Sequence, residues 1–142
     1  MDDNPSDVVQ VILVRKDGSL ILQLRDKKDG LVNSGLITAF GGSIKPGETS
    51  REAAIREISE ETNLAIVPKR LEFFKKYTKT KNVHGEDKIV DYFITRNIDD
   101  KNLKIYEGQG FIVLDQNGKI DTAKVSVLMK EVIEDYKKAY IQ

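Results

Sequence analysis

The segment 41–64 constrains the fold of this chain more than any other part of the sequence. It begins with two adjacent glycines, which let a backbone pass close to a neighbouring element because no side chain intervenes. A Pro46-Gly47 pair then predicts a turn, and Thr49 followed three residues later by Glu52 is the capping-box pattern that begins a helix. We therefore expect a strand, a tight loop and a helix that runs from Thr49 to Thr62.

Most of the remaining chain is predicted to form strands. Apolar, β-branched runs between turn residues predict strands at 8–14, 20–24, 36–40, 64–67, 71–80, 89–95 and 111–114. Apolar residues at helical spacing from Val125 to Tyr136 predict an amphipathic helix packed on the sheet. Two helices among many strands indicate a mixed α+β sandwich. The sequence contains no repeat and no linker, so we expect one domain over 1–142.

Composition excludes several classes of function. The 142 residues include 23 Lys and Arg against 23 Asp and Glu, and the aromatic residues are dispersed, so nucleic acid is not an expected partner. No apolar run approaches the roughly 18 residues of a membrane span, and the polar first residues are not typical of a signal peptide. We therefore expect a cytoplasmic protein. With no Cys and only His84, a thiolate or histidine-rich site is excluded, so catalysis would have to rest on carboxylates.

Carboxylates are concentrated on one side of the first predicted helix. At about 100° per residue, Glu57, Glu60 and Glu61 fall within an arc of roughly 100°. Like charges at this spacing repel one another and call for a compensating cation. Arg56 supplies part of this compensating positive charge, because Arg56 is four residues away from both Glu52 and Glu60. Glu57 and Glu61 are expected to stay uncompensated.

Two interpretations of this helix face are open. Charged helix faces are usually just solvated surface. Hard oxygen ligands of this kind also suit Mg²⁺ or Mn²⁺, which share ligands with substrate phosphates. The adjacent Gly41-Gly42 pair favours the second interpretation, because its free carbonyls can complete a metal shell.

The spacing of these residues resembles the Nudix box of the MutT-like hydrolases. In that pattern a Gly is followed after five residues by a Glu, and after seven more by Arg-Glu-aliphatic-x-Glu-Glu-x-Gly-aliphatic. Gly42, Glu48 and the segment 56–64 match it at six fixed and both aliphatic positions. Asn63 stands where the family has glycine. Because Asn is the usual second choice for the left-handed conformation that closes a helix, we expect that conformation there.

The resemblance implies a Nudix-type α/β/α sandwich with a mixed sheet, and hydrolysis of a nucleoside diphosphate linked to another moiety. The implied ligands of Mg²⁺ or Mn²⁺ are Glu57, Glu60, Glu61 and the Gly41 carbonyl. Glu107 lies in a segment similar to the family's loop with a further carboxylate. Glu60, Glu61 or Glu107 is then the group that takes the proton of the attacking water.

The resemblance gives other residues supporting roles. Arg56 is expected to orient the glutamates, and Glu48 to brace the loop. Arg25 sits where related enzymes often place a substrate-contacting arginine, although an exposed strand-end arginine is the alternative. Phe40 either lines a base or sugar pocket or belongs to the core. The six Lys and Arg residues between positions 69 and 81 either form a solvated face or steer an anionic substrate.

The substrate itself is not identified by the box, because specificity lies on loops. A small MutT-like body implies a nucleoside triphosphate, ordinary or oxidised, ahead of a nucleotide sugar or a dinucleoside polyphosphate. A non-catalytic nucleotide-binding Nudix domain is the main alternative, but such domains typically lose box glutamates, and all are present here. Homodimers are common among similar proteins, although no segment here marks an interface.

Overall fold

The computed structural model describes residues 6–27, 35–79, 87–115 and 122–141, so His84 and most of the turn predicted at 82–87 lie outside it. This part of the chain forms seven strands, β1 Val8–Arg15, β2 Leu20–Leu24, β3 Ile37–Thr38, β4 Phe40–Ser43, β5 Glu72–Lys79, β6 Lys88–Ile98 and β7 Gly110–Leu114. It also forms two α-helices, α1 Ser50–Glu61 and α2 Val127–Tyr140. None of the described helices is long and apolar enough to cross a membrane.

All seven strands belong to one mixed sheet in the order β3-β2-β1-β6-β5, with β4 beside β1 and β7 beside β2. β1 and β6 are parallel, and the other pairs are antiparallel. Alternate side chains of a strand face opposite sides of the sheet. Val9 and Val11 therefore pack in the cluster that includes α1, whereas Ile12 and Val14 pack in the cluster that includes α2. The predicted α/β/α sandwich is confirmed.

The start of α1 follows its predicted capping pattern. The hydroxyl of Thr49 accepts a hydrogen bond from the Glu52 amide at 3.0 Å, and the Glu52 carboxylate accepts one from the Thr49 amide at 2.9 Å. One side of the helix is then buried through Ala53, Ala54 and Ile58. These contacts fix where the glutamates of the second half of the helix project.

The end of α1 differs from the prediction. Thr62 is extended, and Asn63 does not adopt the expected left-handed conformation, since Asn97 is the only described non-glycine residue with positive φ. The Asn63 side chain instead accepts from the Lys104 amide and donates to the Asn102 carbonyl, both at 2.9 Å. This docking against a distant loop replaces a local helix cap.

Two strand predictions are also wrong. Residues 64–67 form no strand, because the Leu64 amide bonds back to the Thr62 hydroxyl and a single 3-10 turn, Pro68–Arg70, follows. The strand predicted at 36–40 is divided into β3, which pairs with β2, and β4, which pairs with β1. The division brings the glycine pair of β4 alongside β1.

A buried carboxylate joins the sheet to the start of α1. Asp91 of β6 is 5% exposed and accepts hydrogen bonds from the hydroxyls of Ser6, at 2.8 Å, and Ser50, at 2.5 Å. Lys76 lies 2.9 Å from the same carboxylate. Burial alone would raise the pKa of Asp91, but these donors outweigh it and hold the pKa below its ordinary value.

Replacing this carboxylate by an amide, Asp91→Asn, should lower the free energy of unfolding at pH 7 by about 2 kcal/mol, the typical strength of charge-assisted hydrogen bonds. A depressed pKa stabilises the fold above the ordinary pKa of Asp, and this contribution is lost as the pH falls through the folded value. Urea unfolding of both proteins between pH 7 and pH 3 should therefore show the difference shrinking below about pH 4. A difference that is independent of pH would contradict this account.

Candidate active site

Two glycines of β4 lie where side chains would collide with their neighbours. A Cβ atom built on Gly42 would lie 2.5 Å from the carboxyl carbon of Glu57, and one on Gly41 would lie 2.0 Å from the Val9 carbonyl oxygen. Atoms that are not bonded to each other do not come this close, so a side chain at either position would force its neighbours to move. The glycine pair therefore lets β4 pass between β1 and the carboxylates of α1.

Glu61, the last residue of α1, is buried against this strand at 2% exposure. One carboxylate oxygen accepts from the Gly41 amide at 2.9 Å, and the other from the side-chain amide of Gln23 at 3.4 Å. Both donors are neutral, so the buried negative charge has no adjacent cation among these hydrogen-bond partners.

Arg56 is the centre of an ion-pair network on the neighbouring part of α1. Its guanidinium donates to Glu48 at 2.6 Å, to Glu57 at 3.0 Å and to Glu60 at 3.3 Å. It also donates to the Ser43 carbonyl of β4 at 3.0 Å. The network corrects two expectations: Glu57 is compensated, and Glu52, which belongs to the capping box, is not an Arg56 partner.

A loop from the far end of the chain brings Glu107 to the same place. The Tyr106 amide donates to the Glu61 carbonyl at 2.7 Å, and the Gln109 amide donates to the Leu24 carbonyl at 2.8 Å. Gln23, 3% exposed, lies 3.4 Å from both the Glu61 carboxylate and the Glu107 carbonyl. Sequence reasoning missed Gln23, and its one signal is a polar residue inside the apolar run of β2.

These surroundings separate the pKa values of the site carboxylates. Burial, followed by the charges of Glu57 and Glu107, raises the pKa of Glu61 to about 8. Burial also raises the pKa of Glu57, against the opposing effect of Arg56. By contrast, the hydrogen bond from Arg56 lowers the pKa of Glu48 to about 2. The contact with Arg56 thus favours the charged form of Glu48.

The donor set can be compared with what a metal ion needs. As the carboxylates stand, no three acidic or histidine side chains in the described part of the chain converge on one metal position. Glu57 and Glu60, which is half exposed, both turn toward Arg56. The available donors are nevertheless hard oxygens beside a backbone that carries no side chains, which fits Mg²⁺ or Mn²⁺. Small rotations of Glu57 and Glu60 away from Arg56 would be needed.

The two predicted substrate contacts differ in their surroundings. Arg25 follows β2 and lines both a cavity that reaches Gly41 and Gly42 and a groove that includes Glu107. Phe40 is completely buried in the core cluster that packs on α1. The prediction that Phe40 lines a substrate pocket is therefore wrong, and its alternative, a core position, is what the structure shows.

Comparison with known proteins identifies the family. The model of the NUDIX domain matches residues 4–130, so the chain belongs to the Nudix family. An uncharacterized Nudix hydrolase of Listeria innocua is 36% identical over 101 residues, which make up 69% of this chain and 55% of that protein. The matched region thus spans about half the length of this curated relative.

Solved structures show the same fold. The MutT NUDIX hydrolase of Burkholderia pseudomallei superposes with a TM-score of 0.75 at 15% identity, covering 94% of this chain and 98% of that chain. The E. coli dihydroneopterin triphosphate pyrophosphohydrolase gives a TM-score of 0.71 at 17% identity, with 94% and 97% covered. At these identities the likeness concerns the fold alone.

The two adjacent glycines should respond differently to substitution. Gly41→Ala forces a Cβ atom against the backbone of β1, which cannot move aside, and should cost about 3 kcal/mol of unfolding free energy. The three atoms nearest to a Cβ atom on Gly42 all belong to the flexible end of Glu57, so Gly42→Ala should cost about 1 kcal/mol, at the low end of overpacking costs, while the carboxylate is displaced. Urea unfolding of both variants measures the difference. A Gly42→Ala protein as unstable as Gly41→Ala would contradict the geometry.

Proposed function

We propose that this chain is a hydrolase that cleaves the diphosphate linkage of a nucleoside diphosphate joined to another moiety, with Mg²⁺ or Mn²⁺ as cofactor. The observation that carries the proposal is the buried Glu61 carboxylate, bonded to the Gly41 amide and close to Glu57 and Glu107. A carboxylate buried among other carboxylates is costly unless a cation or a proton joins it. A scaffold helix with no ligand has no need of this arrangement.

Each group has a proposed role. Glu57, Glu60, Glu61 and the Gly41 carbonyl would hold the metal, which when bound offsets the charge of the diphosphate and polarises it toward attack by water. Arg56 would keep Glu57 and Glu60 close to the metal position, and both carboxylates would turn from the guanidinium toward the metal when it binds. The water would lose its proton to Glu60, Glu61 or Glu107.

Membership of the Nudix family supports cleavage of a diphosphate linkage. It does not identify the group that is attached to this diphosphate. A nucleoside triphosphate, ordinary or oxidised, is our first proposed substrate because the E. coli structural relative is named for a triphosphate. A nucleotide sugar and a dinucleoside polyphosphate are the next candidates. Arg25 would contact the substrate, since it borders both the glycine pair and the Glu107 groove. The homodimer and the cytoplasmic location remain predictions.

A phosphate-release screen tests the activity. Nucleoside triphosphates, oxidised triphosphates, nucleotide sugars and dinucleoside polyphosphates are incubated with the protein, with and without Mg²⁺, and the nucleotide products and any pyrophosphate or phosphate are measured directly by chromatography without a coupling enzyme. We expect hydrolysis of one class that stops when EDTA removes the metal and returns with added Mg²⁺ or Mn²⁺. Hydrolysis that is unaffected by EDTA would contradict the proposed cofactor.

Glu61→Gln isolates the role of the buried carboxylate. Glutamine keeps an oxygen that accepts from the Gly41 amide but removes the negative charge, so kcat should fall by about 100-fold or more with no loss of thermal stability. Glu52→Gln, on the same helix, is the matched control, because glutamine also completes a capping box. If Glu61→Gln retains full activity with Mg²⁺, or if Glu52→Gln loses as much, Glu61 does not have this role.

The main rival is a Nudix domain that binds a nucleotide without cleaving it. This rival predicts that the protein binds substrates in the screen and releases no phosphate with any metal. The intact set of box glutamates and their connection through Arg56 favour the enzyme, because a binding module needs no buried carboxylate cluster beside the ligand.

A further inference from the structure

Gln23 is a buried polar side chain on the face of β2 that looks toward α1. Ile21, two residues earlier on the same face, packs in the core cluster that includes α1. Phe111, which pairs with Gln23 from β7, packs against the same cluster. Gln23 itself is 3% exposed. A buried amide is unfavourable in such apolar surroundings unless its donors have partners.

The side-chain nitrogen of Gln23 lies between two acceptors from distant parts of the chain. It is 3.4 Å from a carboxylate oxygen of Glu61, at the end of α1, and 3.4 Å from the backbone carbonyl of Glu107. A carbonyl and an ionised carboxylate both accept hydrogen bonds, so a group with two N–H donors fits between them, and an amide supplies these donors without a charge. Gln23 therefore joins the helix that carries the site to the loop that carries Glu107.

The backbone of this loop is fixed on both sides of position 107. The Tyr106 amide donates to the end of α1 at 2.7 Å, and the Gln109 amide donates to the end of β2 at 2.8 Å. Between these two anchors, Gln23 contacts the loop through the Glu107 carbonyl. The backbone bonds thus fix the ends of the loop, whereas Gln23 determines how close its middle lies to the site.

Gly108 is an independent indication that the loop has to lie close to Gln23. Its φ is +84°, and a Cβ atom built on it would lie 2.7 Å from the Leu24 carbonyl oxygen and 3.4 Å from the side-chain nitrogen of Gln23. A side chain at this position would push the loop away from β2. The glycine therefore keeps the Glu107 carbonyl within reach of the amide.

The contact with Gln23 opposes a repulsion between two glutamates. The charge of Glu107 is one of the causes that raise the pKa of Glu61, so these two groups lie close enough to repel each other when both are ionised. The hydrogen bonds of a neutral amide offset part of this repulsion and leave both carboxyl groups available. A cation in the place of Gln23 would instead neutralise them.

We infer that Gln23 is a positioning residue that holds Glu107 beside Glu61, so that the two carboxylates serve the same reaction centre. This inference rests on the proposed function and goes beyond it, because it assigns a role in the reaction to a residue outside the set of glutamates. Gln23 acts through the two residues that it contacts. A role confined to stability would not depend on the carboxylate of Glu107.

Gln23→Met tests this role, because methionine keeps the length of the side chain and removes both donors. With the substrate found in the screen, kcat should fall by about ten-fold while KM changes by less than about two-fold, since a displaced Glu107 affects the reacting groups more than the rest of the substrate. In a Glu107→Gln background the same substitution should change kcat by less than about two-fold.

Hydrogen exchange follows the loop itself, without metal or substrate. The protection factors of the Tyr106 and Gln109 amides, measured by NMR, should fall by about ten-fold in Gln23→Met, because a buried acceptor loses its donor. Gln109→Met is the matched control, since its side-chain amide donates to the Arg25 carbonyl from an exposed position. It should leave kcat and the protection of the Tyr106 amide within about two-fold of the natural protein.

Thermal unfolding checks that Gln23→Met is folded. If it does not fold, Gln23→Asn takes its place in both experiments. Asparagine keeps a buried amide but withdraws it by about 1.5 Å, the length of one carbon–carbon bond, so it cannot reach both acceptors.

The outcomes distinguish this inference from the proposed function. Unchanged protection of the loop, an unchanged kcat, an equal loss of kcat in the Glu107→Gln background, or an equal effect of Gln109→Met would overturn the inference. If the natural protein hydrolyses nothing in the screen, the proposed function fails and hydrogen exchange alone decides. A loss of protection in Gln23→Met that is absent from Gln109→Met then supports the positioning of the loop, and equal protection overturns it.

Discussion

The hydrogen bond from the Gly41 amide to Glu61 is the contact on which the site depends. It joins the end of α1 to β4 and holds a carboxylate at 2% exposure, where its charge is unfavourable. Every neighbouring feature accommodates that position. Gly42 leaves room for the Glu57 carboxylate, and the Tyr106 amide donates to the Glu61 carbonyl. The side-chain amide of Gln23 donates to the second carboxylate oxygen of Glu61. A carboxylate held where its charge is unfavourable is typical of a functional position.

Local patterns predicted the parts of this structure that local interactions determine. The capping box at Thr49 and Glu52 fixed the start of α1, and the box spacing identified the glutamates and Arg56 as one group. Asn63 was predicted wrongly because a bond to the segment near Lys104 replaced its local cap. Whether Phe40 lies in a pocket or in the core was ambiguous from the sequence for a related reason. Phe40 belongs to the same core cluster as Ala53 and Ile58, and these two residues come from a helix whose position depends on the whole sheet.

Long-range pairs were beyond the reach of sequence patterns. Gln23 meets Glu61 from 38 residues away, and Ser6 meets Asp91 from 85 residues away. In both cases the signal in the sequence is a polar residue inside an apolar strand, Gln23 in β2 and Asp91 in β6. This signal does not indicate which distant residue the polar side chain contacts.

The central claim is that the carboxylates around Glu61 bind a divalent metal ion beside the glycine strand. Titration of the protein with Mn²⁺, followed by electron paramagnetic resonance in the absence of substrate, tests it most directly. Mn²⁺ is expected to bind to the natural protein with an affinity that falls by about ten-fold or more in Glu61→Gln and is unchanged in Glu52→Gln. Mn²⁺ binding of equal affinity in all three proteins, or no binding to the natural protein, would contradict it.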